Sequence, residues 1–325
     1  MADYGIRIHE TGGPEVLRYE ELELPPPGRG EVRIRTTAIG LNYRDTYERT
    51  GLYPVTLPSP LGGEAAGVVT EVGEGVSGLA PGDRVAHATG PLGAYATAQN
   101  VPADVLVPIP DGVPDEAAAA VLLKGLTAWY LLRRTYPVQS GETVVFHAAA
   151  GGVGLIAGQW LRHLGVRAIG TAGSAEKAAL AVENGYAEVV LYREEDVAAR
   201  VRELTDGAGV PVVYDSVGAA TFENSLDCLR PRGLMVSFGN SSGPVTGVNL
   251  GILASKGSLF VTRPTLGHYV GNRTELRAAA AELLDLVEQG VIDPNIGQRF
   301  PLAEAANAHR ALESRTTTGS TVLLP

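Results

Sequence analysis

The residues with the clearest chemical consequence are Ala149, Gly151, Gly152, Val153 and Gly154. They follow the apolar run Glu142–His147 and precede Leu155–Gly165, a pattern of buried strand, small-residue turn and helix. Gly151 and Gly154 stand at the second and third glycine positions of the dinucleotide-binding fingerprint, with Ala149 at the first. A turn without side chains lets backbone N–H groups approach a pyrophosphate. The helix N-terminus behind it faces that anion with roughly half a positive charge. The chemistry expected here is the holding of a nicotinamide-type dinucleotide.

The end of the next strand bears on which dinucleotide fits. Folds selective for NAD place Asp or Glu about 20 residues beyond the fingerprint, to accept from the ribose 2′-hydroxyl. Here the run ends Ile169-Gly-Thr-Ala-Gly-Ser174 with no acid, and Lys177 follows one helical turn later. A hydroxyl and an ammonium suit a 2′-phosphate, at roughly 1.5–3 kcal/mol per hydrogen bond to a charged group. Lysine is scarce elsewhere, with three in the chain against 23 arginines. The expected cofactor is NADPH (NADP), with Ser174 and Lys177 on its phosphate.

Other chemistries are closed off. Cys228 is the single cysteine, so neither an intrachain disulfide nor a cysteine-rich zinc site is possible. His87 and His147 have no neighbour at metal-ligand spacing, and no metal is expected. The balance of 26 basic against 36 acidic residues, net −10, argues against a nucleic-acid partner. Met1–Arg7 lacks the apolar core of a signal peptide. The most apolar stretch, Ala117–Leu132, is interrupted by Lys124 and too short to span a bilayer, so a buried helix and a cytoplasmic protein are expected.

The elements that must position these residues follow from periodicity. Residues 1 to about 122 alternate short β-type runs, such as Glu31–Thr36 and Gly67–Val72, with Gly/Pro turns, which suits a compact, partly barrelled β domain. From 143 onward strands and helices alternate. Strands are predicted at Thr143–His147, Arg167–Thr171, Glu188–Tyr192, Pro211–Asp215, Leu234–Phe238 and Ser258–Thr262, with helices around 152–164, 174–184, 196–206, 219–229 and 248–256. Six strands with crossovers make a doubly wound parallel sheet in an α/β fold. A helix at 274–289 and a strand at Ser320–Leu324 then return to the first domain. The expected domains are 1–125 with 263–325, and 126–262.

Several motifs occur in one order: Gly40–Tyr47, Gly51–Pro54, Leu61–Gly67, Gly82–Val85, Lys124–Thr127, Ala148–Gly154, Val213–Gly218, Phe238–Gly243, Val261–Pro264 and Glu313–Arg315. Together they resemble the medium-chain dehydrogenase/reductase superfamily, and within it the zinc-free NADPH:quinone oxidoreductases, the ζ-crystallin-like and bacterial quinone reductase group. The resemblance covers essentially the whole chain. It implies a GroES-like first domain, a Rossmann second domain and a quinone reduced in the cleft between them. Zinc-dependent relatives carry Cys and His ligands where this chain has Asn42 and Gly63. Without a Lewis acid, an acceptor whose reduced anion is weakly basic is favoured. The gap between a water-like alkoxide and a phenolate is roughly 6 pK units, or about 8 kcal/mol. That reasoning also admits enones and alkenals as substrates. A non-catalytic, crystallin-like or RNA-binding role is the third possibility, and the net charge disfavours RNA.

The resemblance further implies particular residues. Asn42, Tyr43, Arg44, Asp45, Thr46 and Tyr47 would lie beside the nicotinamide, with Asn42 in the space zinc vacates and Tyr47 contacting the acceptor. These two are the catalytic candidates. Asp45 and Glu64 match structural hydrogen-bonding positions. Thr127 and Tyr130 would face the cofactor and Tyr192 the adenine. Ser216, Val217, Phe238, Gly239, Asn240, Ser241 and Arg263 would line its path, and Arg315 would be a second phosphate ligand. Finally, Ser258–Thr262 reads as an apolar sheet edge without internal charge. Such an edge is normally covered, and in the resembling family it pairs with its symmetry mate, so a homodimer is expected.

Overall fold

The computed structural model describes residues 2–325. Two compact units divide the chain, Met1–Leu126 with Val270–Pro325, and Thr127–Tyr269. The first opens with short strands: β1 (Asp3–Ile8), β2 (Arg18–Leu22) and β3 (Glu31–Leu41). Helix α1 (Tyr43–Thr50) follows, then β4 (Ser59–Pro60), β5 (Ala65–Val72), β6 (Arg84–His87), β7 (Ala98–Pro102), β8 (Val107–Pro108) and α2 (Asp115–Tyr130). Strand β3 is long enough to pair antiparallel with β5, β7 and the C-terminal strand. Its alternation turns Val32 and Ile34 inward, where they pack on Val69, Val85, Val101 and Leu106. In α2, Ala118–Leu122 are all fully buried, so the apolar stretch is a core helix. It ends in one π-helical turn, Leu131–Thr135.

The second unit alternates β9 (Thr143–Phe146), α3 (Gly152–His163), β10 (Arg167–Ala172), α4 (Ala175–Glu183), β11 (Glu188–Leu191), α5 (Val197–Leu204), β12 (Val210–Asp215), α6 (Phe222–Asp227), β13 (Leu229–Ser237), α7 (Gly251–Ser255) and β14 (Phe260–Thr262). The strand order is β11-β10-β9-β12-β13-β14, every pair parallel. This is the doubly wound six-stranded sheet. The order reverses beside β9, which creates the crevice where such sheets bind ligands.

Several elements of this unit differ from the periodicity, among them α7, which occupies only Gly251–Ser255 of the expected 248–256. Strand β13 starts at Leu229 rather than Leu234, because Leu229 pairs with Val210 before a bulge that includes Arg232 in the left-handed region. Strand β14 starts two residues late, since Ser258 is also left-handed. Helix α6 is shorter than 219–229 because Gly218 N and Thr221 Oγ1 are tied to the Asp215 carboxylate.

The chain then returns to the first unit as α8 (Arg273–Glu288), β15 (Ile296–Pro301), α9 (Ala305–Glu313) and β16 (Ser320–Leu324). One sheet there runs β15-β16-β3-β5-β6-β8, and a smaller one runs β2-β1-β4. A second core joins Ile6, Ile39, Leu61 and Tyr95 to Leu302, Ala308 and Leu323, so the C-terminal segment is needed to complete it. No helix among the described residues is long and apolar enough to cross a membrane.

Candidate active site

In the second unit, β9 delivers the turn Ala148–Gly151 to the start of α3. Ala148 itself is left-handed, with φ 55°. A Cβ on Gly154 would lie 2.4 Å from the Ala148 carbonyl oxygen and 2.6 Å from that of Ala149, so only glycine lets the helix start this close to the turn. Gly151 is the N-cap of α3, and its side-chain-free backbone leaves the first N–H groups of a twelve-residue helix unobstructed. Ala149 N is committed to Thr171 O.

At the carboxyl end of β10, Ser174 caps α4, its hydroxyl accepting from Lys177 N at 3.4 Å. Tyr192, just past β11, leans over this end. A Cβ placed on Gly173 would lie 2.6 Å from the Tyr192 hydroxyl and 3.5 Å from Arg193 Nε. Ser174, Lys177 and Tyr192 thus come together, and they have a fourth neighbour that sequence reasoning missed. Arg193 is exposed and makes no ion pair among the described residues. The signal was present in the run Tyr192-Arg193, one residue past a strand predicted to end at the same edge of the sheet.

Across the crevice, the loops after β12 and β13 are held mainly by backbone. Asp215 is fully buried and accepts four hydrogen bonds, from Val217 N, Gly218 N, Thr221 Oγ1 and Ser225 Oγ at 2.7–3.0 Å. Phe238 N donates to Asp215 O and Ser241 N to Ser216 O, which brings Ser216, Val217, Phe238, Gly239, Asn240 and Ser241 side by side. Arg263 Nη1 donates to Gly239 O at 2.9 Å from beyond β14. His147 is satisfied on both ring nitrogens, by Thr171 and Ser225, and burial holds its pKa below the usual imidazole range. Thr127 and Tyr130 lie on the last turn of α2, where Tyr130 stacks on Tyr269 with centroids 4.8 Å apart.

In the first unit, Asn42 precedes α1. Its Nδ2 donates to Glu64 Oε2 at 2.8 Å and to Gly40 O at 3.3 Å. Glu64 also accepts from Leu123 N and from the buried Lys124 ammonium, at 2.6 and 3.3 Å. A Cβ at residue 40 would lie 2.2 Å from that carboxylate, so Gly40 makes room for it. The N–H side of the Asn42 amide is therefore committed, and its carbonyl oxygen is the group it can present. Tyr43, Tyr47 and Tyr53 form an aromatic wall, with centroids 6.0 and 5.2 Å apart in sequence. Burial raises the Tyr43 pKa against the lowering effect of Arg315, which hydrogen-bonds it. Arg44 is exposed and pairs with Glu48, Thr46 Oγ1 donates to Tyr43 O, and Asp45 is fully buried with its carboxyl turned to Tyr95. Arg315 thus belongs to the first unit, with Tyr43.

Known proteins match the chain over nearly its full length. Residues 28–111 match the alcohol dehydrogenase GroES-like domain, and residues 152–287 match the zinc-binding dehydrogenase family. The chain is 61% identical to a quinone oxidoreductase of Pseudomonas aeruginosa, over 98% of this chain and 99% of that one. The crystal structure of Escherichia coli quinone oxidoreductase complexed with NADPH matches with a TM-score of 0.98 at 53% identity, covering 99% of this chain and 100% of that chain. A 2-haloacrylate reductase of Burkholderia sp is 46% identical over 98% of both proteins. The chain belongs to the quinone oxidoreductase family of the medium-chain dehydrogenase/reductase superfamily.

Proposed function

We propose that this protein is an NADPH:quinone oxidoreductase that works without zinc. The observation that carries the reading is the carboxyl end of the second unit's sheet. A turn that admits no side chain at Gly154 meets the start of α3, and the neighbouring strand end offers Ser174, Lys177 and Arg193 where an NAD-selective fold would place an acid. These residues fit a dinucleotide with a 2′-phosphate. Ala149–Gly154 would hold the pyrophosphate, Ser174, Lys177 and Arg193 the 2′-phosphate, and Tyr192 the adenine. Ser216, Val217, Phe238–Ser241, Arg263, Thr127 and Tyr130 would take the rest of the cofactor. Bound NADPH supplies two electrons as a hydride equivalent.

The residues of the first unit serve the acceptor. Asn42 offers a fixed carbonyl acceptor, and Tyr47 would contact the quinone from the aromatic wall. Tyr43, Arg44, Asp45 and Thr46 belong to the same helix, Arg315 hydrogen-bonds Tyr43, and Arg315 would be a second phosphate ligand. Asn42 and Gly63 stand where zinc-dependent relatives carry ligands, so the acceptor must tolerate reduction without a Lewis acid. A quinone does, because its reduced oxygen is phenolate-like.

A second reading, reduction of an activated carbon–carbon double bond, is favoured by the identity to a 2-haloacrylate reductase. NADPH oxidation measured with 1,4-benzoquinone, 1,2-naphthoquinone and a 2-alkenal separates the two. The quinones should turn over faster, and a preference for the alkenal would overturn the assignment.

The partner expected is a second copy. Strand β14 ends the sheet order and exposes Phe260 (61%) and Val261 (40%), an unpaired apolar edge. Pairing two such edges across a two-fold axis would satisfy the backbone and bury both side chains. A cytoplasmic setting suits the single buried thiol, Cys228. Sedimentation equilibrium should give a dimer that Val261→Pro dissociates. A monomer of 33.9 kDa at micromolar concentration would contradict the pairing.

A further inference from the structure

Four buried side chains connect two turns at the crevice of the second unit's sheet. His147 follows β9, Thr171 stands near the end of β10, Asp215 ends β12, and Ser225 lies on α6. None is more than 1% exposed. His147 Nδ1 lies 3.0 Å from Thr171 Oγ1, and its Nε2 lies 3.0 Å from Ser225 Oγ. At one end, Thr171 Oγ1 accepts from Ala148 N at 3.3 Å and Thr171 O from Ala149 N at 3.0 Å. At the other, Ser225 Oγ donates to Asp215 Oδ2 at 2.7 Å, and Oδ1 of the same carboxylate accepts from Val217 N and Gly218 N.

The direction of each hydrogen follows from the carboxylate end. A carboxylate only accepts, so the single hydroxyl hydrogen of Ser225 is spent on Asp215. The Ser225 oxygen then faces His147 as an acceptor, and His147 Nε2 must carry a hydrogen. Burial holds the His147 pKa below the usual imidazole range, against the opposing effect of Asp215, which keeps the ring neutral. A neutral ring protonated on Nε2 has a bare Nδ1, which accepts from the Thr171 hydroxyl. The Thr171 oxygen in turn takes the Ala148 N–H. The hydrogens thus all point one way, from Ala148 through Thr171, His147 and Ser225 to Asp215. The opposite tautomer would set the bare Nε2 against an oxygen whose hydrogen is already committed.

We propose that His147 is a positioning residue of the crevice: its Nε2–H tautomer ties the fingerprint turn at Ala148 to the turn at Val217 and Gly218, so that both are set as one unit. That the crevice holds a dinucleotide rests on the function proposed above, whereas the linkage itself stands without it. The ring acts through the backbone at its two ends. Ala148 needs such support, because its φ of 55° is a conformation that residues with a Cβ seldom hold unaided. Deleting either hydroxyl should therefore loosen the turn at the far end of the chain as well as the near one.

The test uses the full-length protein. Long-range 1H–15N spectra of the imidazoles, assigned with His147→Gln, should show His147 protonated on Nε2 and bare on Nδ1. Amide hydrogen exchange, read without cofactor, should rise about threefold or more at Val217 in Thr171→Val and at Ala148 in Ser225→Ala. With cofactor, either variant should raise the Michaelis constants for NADPH and NADH together, by about three- to tenfold, with kcat little changed. The two turns serve the part of the dinucleotide that both cofactors share. Thr171→Ser should restore the wild-type constants, and the double variant should be no worse than the worse single one, as for one connected chain. A His147 ring protonated on Nδ1 would overturn the proposal, as would unchanged exchange at both far ends or an additive double variant. A wild type that does not oxidise NADPH would overturn the proposed function instead, and the exchange rates would still decide the linkage. If neither variant folds, the wild-type imidazole spectrum decides alone.

Discussion

Asp215 and Asp45 are both fully buried aspartates, one in each unit, and their surroundings differ in kind. Asp215 accepts four hydrogen bonds from groups within ten residues of itself, so its loop is a local, closed structure. Asp45 accepts two, one of them from Tyr95 fifty residues away, and keeps an oxygen without a partner. The loops after β12 and β13 in the second unit are thus built from backbone and short-range capping. In the first unit the contacts around α1 run over longer range: Tyr95 reaches Asp45, and Arg49 and Tyr43 meet His309, Glu313 and Arg315 only after the chain has returned from its second unit.

The largest effect should come from opening the closed structure. Asp215→Ala strands four donors in a buried loop, each costing about 1–3 kcal/mol when unpaired. We expect a loss of 3 kcal/mol or more, read as a drop in denaturation midpoint. A loss below about 1 kcal/mol would mean that water replaces the carboxylate and the contrast with Asp45 fails.

That contrast also explains what could be read from the sequence. The strand starts at Thr143, Arg167 and Glu188 were legible because period-2 runs, a glycine turn and period-3.6 runs are local signals. The proximity of Ser174, Lys177 and Tyr192 followed, since parallel strands put their carboxyl ends at one edge. Arg193 lies at that same edge, yet its guanidinium position depends on a backbone turn that periodicity does not encode. The links Arg49–His309 and Arg49–Glu313 span 260 and 264 residues and leave no periodic trace. The resemblance named Asp45 and Glu64 as hydrogen-bonding positions, but not their partners.

A smaller effect separates the phosphate ligands from bystanders. Lys177→Ala and Arg193→Ala should each raise the Michaelis constant for NADPH about tenfold and leave that for NADH unchanged, as expected for one charged hydrogen bond each. An equal rise for both cofactors would make either residue structural.

The smallest effect concerns acid. His87 is buried in the first unit's barrel with neither ring nitrogen in a sound hydrogen bond, and burial lowers its pKa to about 4; His309 is lowered to about 3. A depressed histidine contributes stability above its unfolded pKa near 6.5, lost as pH falls towards the folded value. The wild-type melting temperature should drop by a few degrees between pH 6.5 and pH 4.5. His87→Leu should flatten part of that drop, and an unchanged slope would place the acid sensitivity elsewhere.

Zinc-free, NADPH-selective quinone reduction is tested by a pair of initial-rate measurements with 1,4-benzoquinone, one with NADPH and one with NADH, on protein treated with a zinc chelator. The expected kcat/KM is at least tenfold higher with NADPH and unchanged by the chelator. Equal rates with NADH, or activity abolished by chelation and restored by zinc, would contradict it.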